Sequence, residues 1–145
     1  MPIEPELENL YIQSLFKEME LTKKVPHLLK TIYIGGGTPS SLTIEALHSI
    51  FQKLRNTFKT EKDIEFSVEV NPATVDEEKL KIFREYGVNR LSIGIQSFND
   101  RELSFLGRIH NSEEAIKTVE LIYNSRFNNI SIDLIYGIPE QTVDI

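Results

Sequence analysis

The sequence contains no cysteine. That excludes disulfides and every metal site built on thiolates. It also has no long apolar run: hydrophobic residues make up 40% of the chain, but polar residues interrupt them well short of the roughly 20 consecutive apolar residues a membrane helix needs. No secretory hydrophobic region opens the sequence, so a cytoplasmic protein without a membrane span is expected. Positive charge is not in excess, with 16 Lys and Arg against 22 Asp and Glu and a net charge of −6. No basic stripe is visible, which argues against a nucleic-acid partner, because such binding rests on clustered cations that neutralise phosphates. Histidines are few. His27, His48 and His110 have no metal-ligand spacing such as His-Glu-x-x-His, so surface or capping roles are expected and no metal site.

What is present is a 145-residue chain long enough for one domain with a real core. Four short runs rich in Ile, Val, Leu and aromatics read as strands: Thr31 to Gly35, Ile64 to Val70, Arg90 to Gln96 and Asn129 to Tyr136. Helical patterns separate them. Ile44, Leu47, Ile50, Phe51, Leu54 and Phe58 form the first stripe, and Leu80 and Phe83 anchor a second helix. That second helix starts in a capping-box pattern at Thr74 and stops at Gly87. A looser segment around Asp100 to Gly107 precedes a third helix from Ser112, expected to bury Ala115, Ile116, Val119 and Ile122 or Tyr123. Residues 8–14 match a common engineered protease site except for Ile12 in place of Phe. Against that reading, Leu7, Leu10, Tyr11 and Leu15 form one apolar stripe of a helix from about Pro5 to Thr22.

Strands separated by single helices imply parallel neighbours joined by right-handed crossovers, and hence an α/β fold. Parity decides between open sheet and barrel. Ile64, Phe66, Val68 and Val70 share one face of their strand, while Glu65, Ser67 and Glu69 share the other. Leu91, Ile93 and Ile95 likewise oppose Ser92, Gly94 and Gln96, and Ile130, Ile132 and Leu134 oppose Ser131, Asp133 and Ile135. A parallel sheet covered on both faces reads as near-continuous hydrophobic runs. The alternation favours part of a barrel around a polar, ligand-filled lumen. In such barrels functional groups gather at the C-terminal strand ends, which here are Gly35-Gly36-Gly37-Thr38-Pro39, Glu69-Val70-Asn71-Pro72, Gln96-Ser97, and Asp133 with Tyr136-Gly137. The glycines let backbone approach a ligand closely, although a plain strand-to-helix turn explains them equally. Glu69 and Asp133 suit a polar, amine-bearing ligand or, alternatively, a structural ion pair with Arg90 or Arg108.

Five ordered motifs carry a resemblance over about residues 31–142. They are Ile32-Tyr33-Ile34-Gly35-Gly36-Gly37-Thr38-Pro39-Ser40, Glu69-Val70-Asn71-Pro72, Gly87 to Phe98, Leu106-Gly107-Arg108-Ile109-His110, and Asp133 to Thr142. Together they resemble oxygen-independent coproporphyrinogen III oxidase and its haem-chaperone relatives. The resemblance implies a radical S-adenosylmethionine (SAM) fold, an incomplete (β/α) barrel of which residues 1–145 would be a single partial domain. It also implies a [4Fe–4S] cluster that cleaves SAM, and a SAM site built from Gly36, Gly37, Thr38, Glu69, Gln96, Arg108 and Asp133. Expected partners are SAM and either haem or a porphyrinogen, with self-association through exposed sheet edges as a further possibility. The stretches Gly37 to Leu42, Gln96 to Phe98 and Leu106 to His110 look more like the chaperone branch. One departure is large: the family's Cys-x3-Cys-x2-Cys loop has no counterpart here, so the cluster is not ligated and the chain alone is expected to be catalytically inactive.

Overall fold

A computed structural model describes residues 4–22 and 28–142. Along the chain lie α1 (Pro5–Thr22), β1 (Leu29–Ile34), a 3₁₀ turn (Pro39–Ser41), α2 (Ile44–Thr57), β2 (Thr60–Val70), α3 (Glu77–Glu85), β3 (Arg90–Gln96), α4 (Asp100–Phe105), α5 (Ser112–Asn124) and β4 (Ile130–Leu134). Short polar side chains set the helix starts. Thr43 caps α2, Asp76 caps α3 by accepting from the Lys79 N–H at 2.8 Å, and Asn111 and Glu114 form a reciprocal capping box on α5. The segment expected to be loose contains α4, because the Asn99 side chain accepts the N–H groups of Arg101 and Glu102. Thr74 does not cap α3; its hydroxyl is engaged by Asn71 and Ser40 instead. Gly87 ends that helix region as expected, at φ +80°.

The four strands are parallel and ordered β1-β2-β3-β4. A doubly wound sheet reverses its order at a switch point. Here the order only advances, as in a barrel wall. One face of the sheet packs on the helices: Phe66, Val68, Val70, Leu91, Ile93 and Ile95 meet Leu47, Ile50 and Phe51 of α2, Leu80 and Phe83 of α3, and Ala115 and Ile122 of α5. Phe51 stands edge-on to Phe66 and Phe83, with ring centroids 5.7 and 5.8 Å away, a geometry favoured by aromatic quadrupoles. The opposite face carries Tyr33, Glu65, Ser67, Glu69, Arg90, Ser92, Gln96, Ser131 and Asp133.

Several faces differ from expectation for physical reasons. Helix α1 spans the expected residues but is rotated: it buries Glu8, Ile12 and Met19, with Leu15 and Phe16 partly covered, whereas Leu7, Leu10 and Tyr11 are exposed. The Glu8 carboxylate accepts the N–H and hydroxyl of Thr43 at 3.2 and 2.7 Å, so a polar contact sets the helix face. In α5 the buried residues are Ala115, Thr118 and Ile122, while Ile116 and Tyr123 are exposed. The Thr118 hydroxyl is satisfied by the carbonyls of Glu114 and Pro72, which lets it occupy the interior. Strand β2 begins four residues early, at Thr60, because backbone pairing continues across a bulge to Leu29 although Thr60–Asp63 are solvated. No described helix is long and apolar enough to cross a membrane.

Candidate functional site

The loop after β1 is built on backbone only glycine adopts easily. Gly36 and Gly37 have φ of +79° and +39° with open space where a side chain would stand. Gly35 matters for a different reason, because a Cβ there would meet the side chains of Tyr33 and Glu69 at 2.5 and 2.8 Å and push them aside. The Glu69 carboxylate, at the end of β2, accepts the Gly36 N–H at 3.2 Å and the Tyr33 hydroxyl. That bond to Glu69 holds the Tyr33 phenol above its ordinary pKa, with burial and the negative charges of Glu69 and Asp133 adding to the effect and Arg90 opposing it. Tyr33 therefore stays a proton donor.

A second network fastens this loop to the end of β2. Ser40, fully buried, places its hydroxyl 2.6 Å from that of Thr74 and accepts the Asn71 N–H at 3.1 Å. Lys79 donates to the carbonyls of Ser40 and Thr74 at 2.7 and 2.9 Å. Asn71 Oδ1 is buried and has no hydrogen-bond partner.

At the end of β3 the ladder slips: Ile93 pairs with Ile132 but Gln96 with Leu134, so three steps on β3 match two on β4. This bulge carries Gln96 at φ +74°, a left-handed conformation that is uncommon for a residue with a side chain and concentrates at functional sites. Arg108 braces it by donating from Nη2 to the Gly94 carbonyl at 2.9 Å, while its Nε is buried without a partner. His110 Nε2 lies 3.1 Å from the Ile95 carbonyl and donates to it. The expectation of a surface role fails for His110, which is 3% exposed; its ring hydrogen-bonds the Ile95 carbonyl within the bulged stretch. Desolvation lowers its pKa, the Ile95 bond opposes that, and the Arg108 charge lowers it further. His48 is partly buried against the Tyr86 hydroxyl, and His27 lies outside the described residues.

Asp133, near the end of β4, accepts from the Ser92 hydroxyl at 3.2 and 3.3 Å. The ion-pair alternative is not what the structure holds: among the described residues, Glu69 and Asp133 form no salt bridge, while Arg90 reaches Glu65 at 4.0 Å. Gly37, Thr38, Glu69, Gln96, Arg108 and Asp133 line one cleft of about 170 Å³, together with Val70, Asn71, Ser92 and Gly94. Gly36 joins it through its bond to Glu69. All seven expected residues thus converge. Sequence reasoning did not single out Tyr33, Asn71 or Ser92. Their signal was positional: Tyr33 and Ser92 sit in register on the polar face, and Asn71 follows β2 directly.

A larger hollow of about 730 Å³ lies between α3 and α5, but Glu77, Lys81, Arg84 and Glu85 there are solvated charges remote from the strand ends. The smaller cleft combines two carboxylates without cationic partners, a free guanidinium N–H and an unpaired amide oxygen. Such a set binds a ligand that has both a cationic and an anionic end as well as hydroxyls. Its volume falls below the roughly 300–1,000 Å³ of whole-ligand pockets, so it has room for one polar end of a ligand and not for a whole one. The described residues hold no cluster of His, Cys, Asp and Glu suited to a metal ion.

The family model described as the Radical SAM superfamily matches residues 3–145. The heme chaperone HemW of Bacillus subtilis (strain 168) is 43% identical over 136 residues, which cover 92% of this chain and 36% of the relative. The oxygen-independent coproporphyrinogen III oxidase of Cereibacter sphaeroides (strain ATCC 17025 / ATH 2.4.3) is 39% identical over 134 residues, covering 90% and 30% respectively. Among solved structures, coproporphyrinogen III oxidase (HemN) from Escherichia coli, described as a radical SAM enzyme, superposes with a TM-score of 0.86 at 30% identity, covering 93% of this chain and 32% of that one. The chain spans about a third of the length of these relatives.

Proposed function

Because the chain belongs to the radical SAM superfamily, we propose that its cleft binds the polar end of S-adenosylmethionine, as one part of a longer barrel. The observation that carries this reading is that, of four buried side-chain atoms without a partner among the described residues, two, Asn71 Oδ1 and Arg108 Nε, belong to residues that line the cleft with Glu69 and Asp133. Leaving such groups unsatisfied costs about 1–3 kcal/mol each, so a ligand that pairs them gains affinity from a penalty the free protein already carries. In this reading Glu69 and the backbone of Gly36, Gly37 and Thr38 hold the ligand's ammonium end. Arg108 pairs with its carboxylate, Asp133 accepts from the ribose hydroxyls, and the Gln96 amide accepts from or donates to them.

In the superfamily a [4Fe–4S] cluster supplies the electron that cleaves SAM. The residues present do not fit that cluster, since none of the 145 is cysteine, and iron–sulfur clusters of this type need thiolates. The function assigned to this chain is therefore ligand binding, within a protein of porphyrin or haem metabolism. The haem-chaperone branch is favoured over the oxidase branch by the motifs Gly37 to Leu42, Gln96 to Phe98 and Leu106 to His110, and by the 43% identity to HemW of Bacillus subtilis against 39% to the Cereibacter sphaeroides oxidase. Haem is a second ligand to test, because Phe98, Phe105 and Ile109 are exposed on the β3–α5 connection beside Arg108. A cytoplasmic location belongs to the same reading.

Calorimetric titration with SAM tests the proposal, using Glu69→Ala and Asp133→Ala variants whose folding is first checked by circular dichroism. Binding by the parent and its loss in both variants is the expected result. A folded parent that takes up no SAM overturns it. Haem titration followed by absorbance reads the second ligand separately.

A further inference from the structure

We infer that Arg90, Ser131 and Ser92 form a directional hydrogen-bond relay that positions the Asp133 carboxylate, a role no comparison assigns to them; its consequence for ligand affinity rests on the SAM reading above. The direction follows from counting protons. A carboxylate only accepts, so Ser92 must spend its single hydroxyl proton on Asp133, which it does toward both oxygens at 3.3 and 3.2 Å. Ser92 Oγ is then free only to accept, and the Ser131 hydroxyl, 3.0 Å away, donates to it. Ser131 Oγ in turn accepts from Arg90 Nη2 at 3.2 Å. Each hydroxyl thus has one assigned proton and one assigned acceptor role.

Placement makes the relay possible. Ser92 and Ser131 are cross-strand partners on the polar face, and Arg90 enters that face at the first position of β3. Arg90 also approaches Ser67 Oγ at 3.4 Å and Glu65 at 4.0 Å, so its guanidinium is held from several sides. Ser92 is 7% exposed, which protects the middle of the chain from competing water. Asp133 itself is exposed; without Ser92 its side chain would sample several rotamers.

The arrangement differs in kind from a contact ion pair. Direct pairing with Arg90 would occupy the carboxylate and pull it away from the cleft. The relay delivers the polarising effect of the guanidinium through two hydroxyls and leaves the remaining lone pairs of Asp133 free for a ligand, while the bond to both oxygens fixes the carboxylate plane. Of the relay only Ser92 lines the cleft beside Asp133; Arg90 and Ser131 act through it, and all three are positioning residues for the carboxylate.

Two readouts test this on the full chain. Without ligand, three-bond couplings across the Asp133 Cα–Cβ bond should report a single rotamer in the parent, averaging in Ser92→Ala and Ser131→Ala, and recovery in Ser131→Thr, which keeps the hydroxyl. With SAM, Ser92→Ala should weaken binding roughly tenfold in the parent background and have no further effect in Asp133→Asn, because a residue acting through another is non-additive with it. Urea unfolding separates a general loss of stability, and the half-buried Ser131 carries the test if Ser92→Ala does not fold. An unchanged Asp133 rotamer in Ser131→Ala overturns the relay whatever SAM does, and so does a Ser92→Ala penalty of equal size in both backgrounds. Rotamer averaging in a protein whose parent binds no SAM supports the relay and sinks the SAM reading alone.

Discussion

Gly35→Ala puts a methyl group into space already taken: its Cβ would lie 2.5 Å from Tyr33 Cε1 and 2.8 Å from both Cδ and Oε1 of Glu69. Carbon atoms rest about 3.5–4.0 Å apart, so the Glu69 carboxylate and the Tyr33 ring must both retreat by on the order of 1 Å. Both are side-chain ends, so the backbone survives while the Tyr33–Glu69 and Gly36–Glu69 hydrogen bonds stretch or break. A typical hydrogen bond contributes about 0.5–1.5 kcal/mol net, and the exposure of Tyr33 argues for the low end; a total stability loss of about 1 kcal/mol is expected. The effect on SAM should be larger, a weakening of about 10- to 100-fold, because a displacement of roughly 1 Å in a positioned group can cost that much. Urea unfolding gives the first quantity and calorimetry the second. Gly36→Ala is the control: its Cβ meets nothing, but φ of +79° imposes a backbone penalty of about 1–2 kcal/mol, so stability should fall without the same steric attack on Glu69. A Gly35→Ala protein that binds SAM as tightly as the parent would refute the assignment of Glu69 to the site.

Ser40→Ala should lower stability by about 1 kcal/mol in urea unfolding, because it removes the acceptor of the partly buried Asn71 N–H, and Ser40→Thr should not restore it in so tight a place. Phe51→Ala should cost about 3–5 kcal/mol and, on calorimetry, lose most of the cooperative transition, since its ring touches both Phe66 and Phe83. The pKa of buried His110 lies below its unfolded value, so the unfolded chain binds more protons and stability falls as pH drops below about 6.5. Melting curves between pH 7.5 and 5.5 should show that fall in the parent and a weaker one in His110→Gln, whose amide can still donate to Ile95. Incubation with iron, sulfide and reductant should yield neither cluster absorbance nor 5′-deoxyadenosine from SAM; appearance of the nucleoside would contradict the reading of this chain as a binding unit.

Much of this molecule could be read from residue order because its strongest signals are local. Alternation in Ile64–Val70 announced a two-sided strand, and the same alternation told which side would be polar. That Glu69, Gln96 and Asp133 stand near one another followed from parity together with parallel strands in sequential order, which bring C-terminal ends together; their union with Arg108 in one site came from the family resemblance. What stayed hidden depends on contacts distant in sequence. The rotation of α1 is set by Glu8 meeting Thr43, and hydropathy pointed to a neighbouring face that shares Leu15 with it. The buried place of His110 exists because β3 bulges, and Gly94 inside a strand was its one local hint. The Ser92–Ser131 pairing required the register between β3 and β4, which composition does not encode.

The solvated start of β2 gives the protein a practical handle. Glu61 is exposed and sits eight residues before Glu69 along one bulged strand, a separation of at most about 26 Å at the rise of an extended chain. Because the sequence has no thiol of its own, Glu61→Cys would offer a maleimide dye one attachment point. A fluorophore fixed there would sense tumbling and assembly state while leaving the glycine loop and both carboxylates untouched.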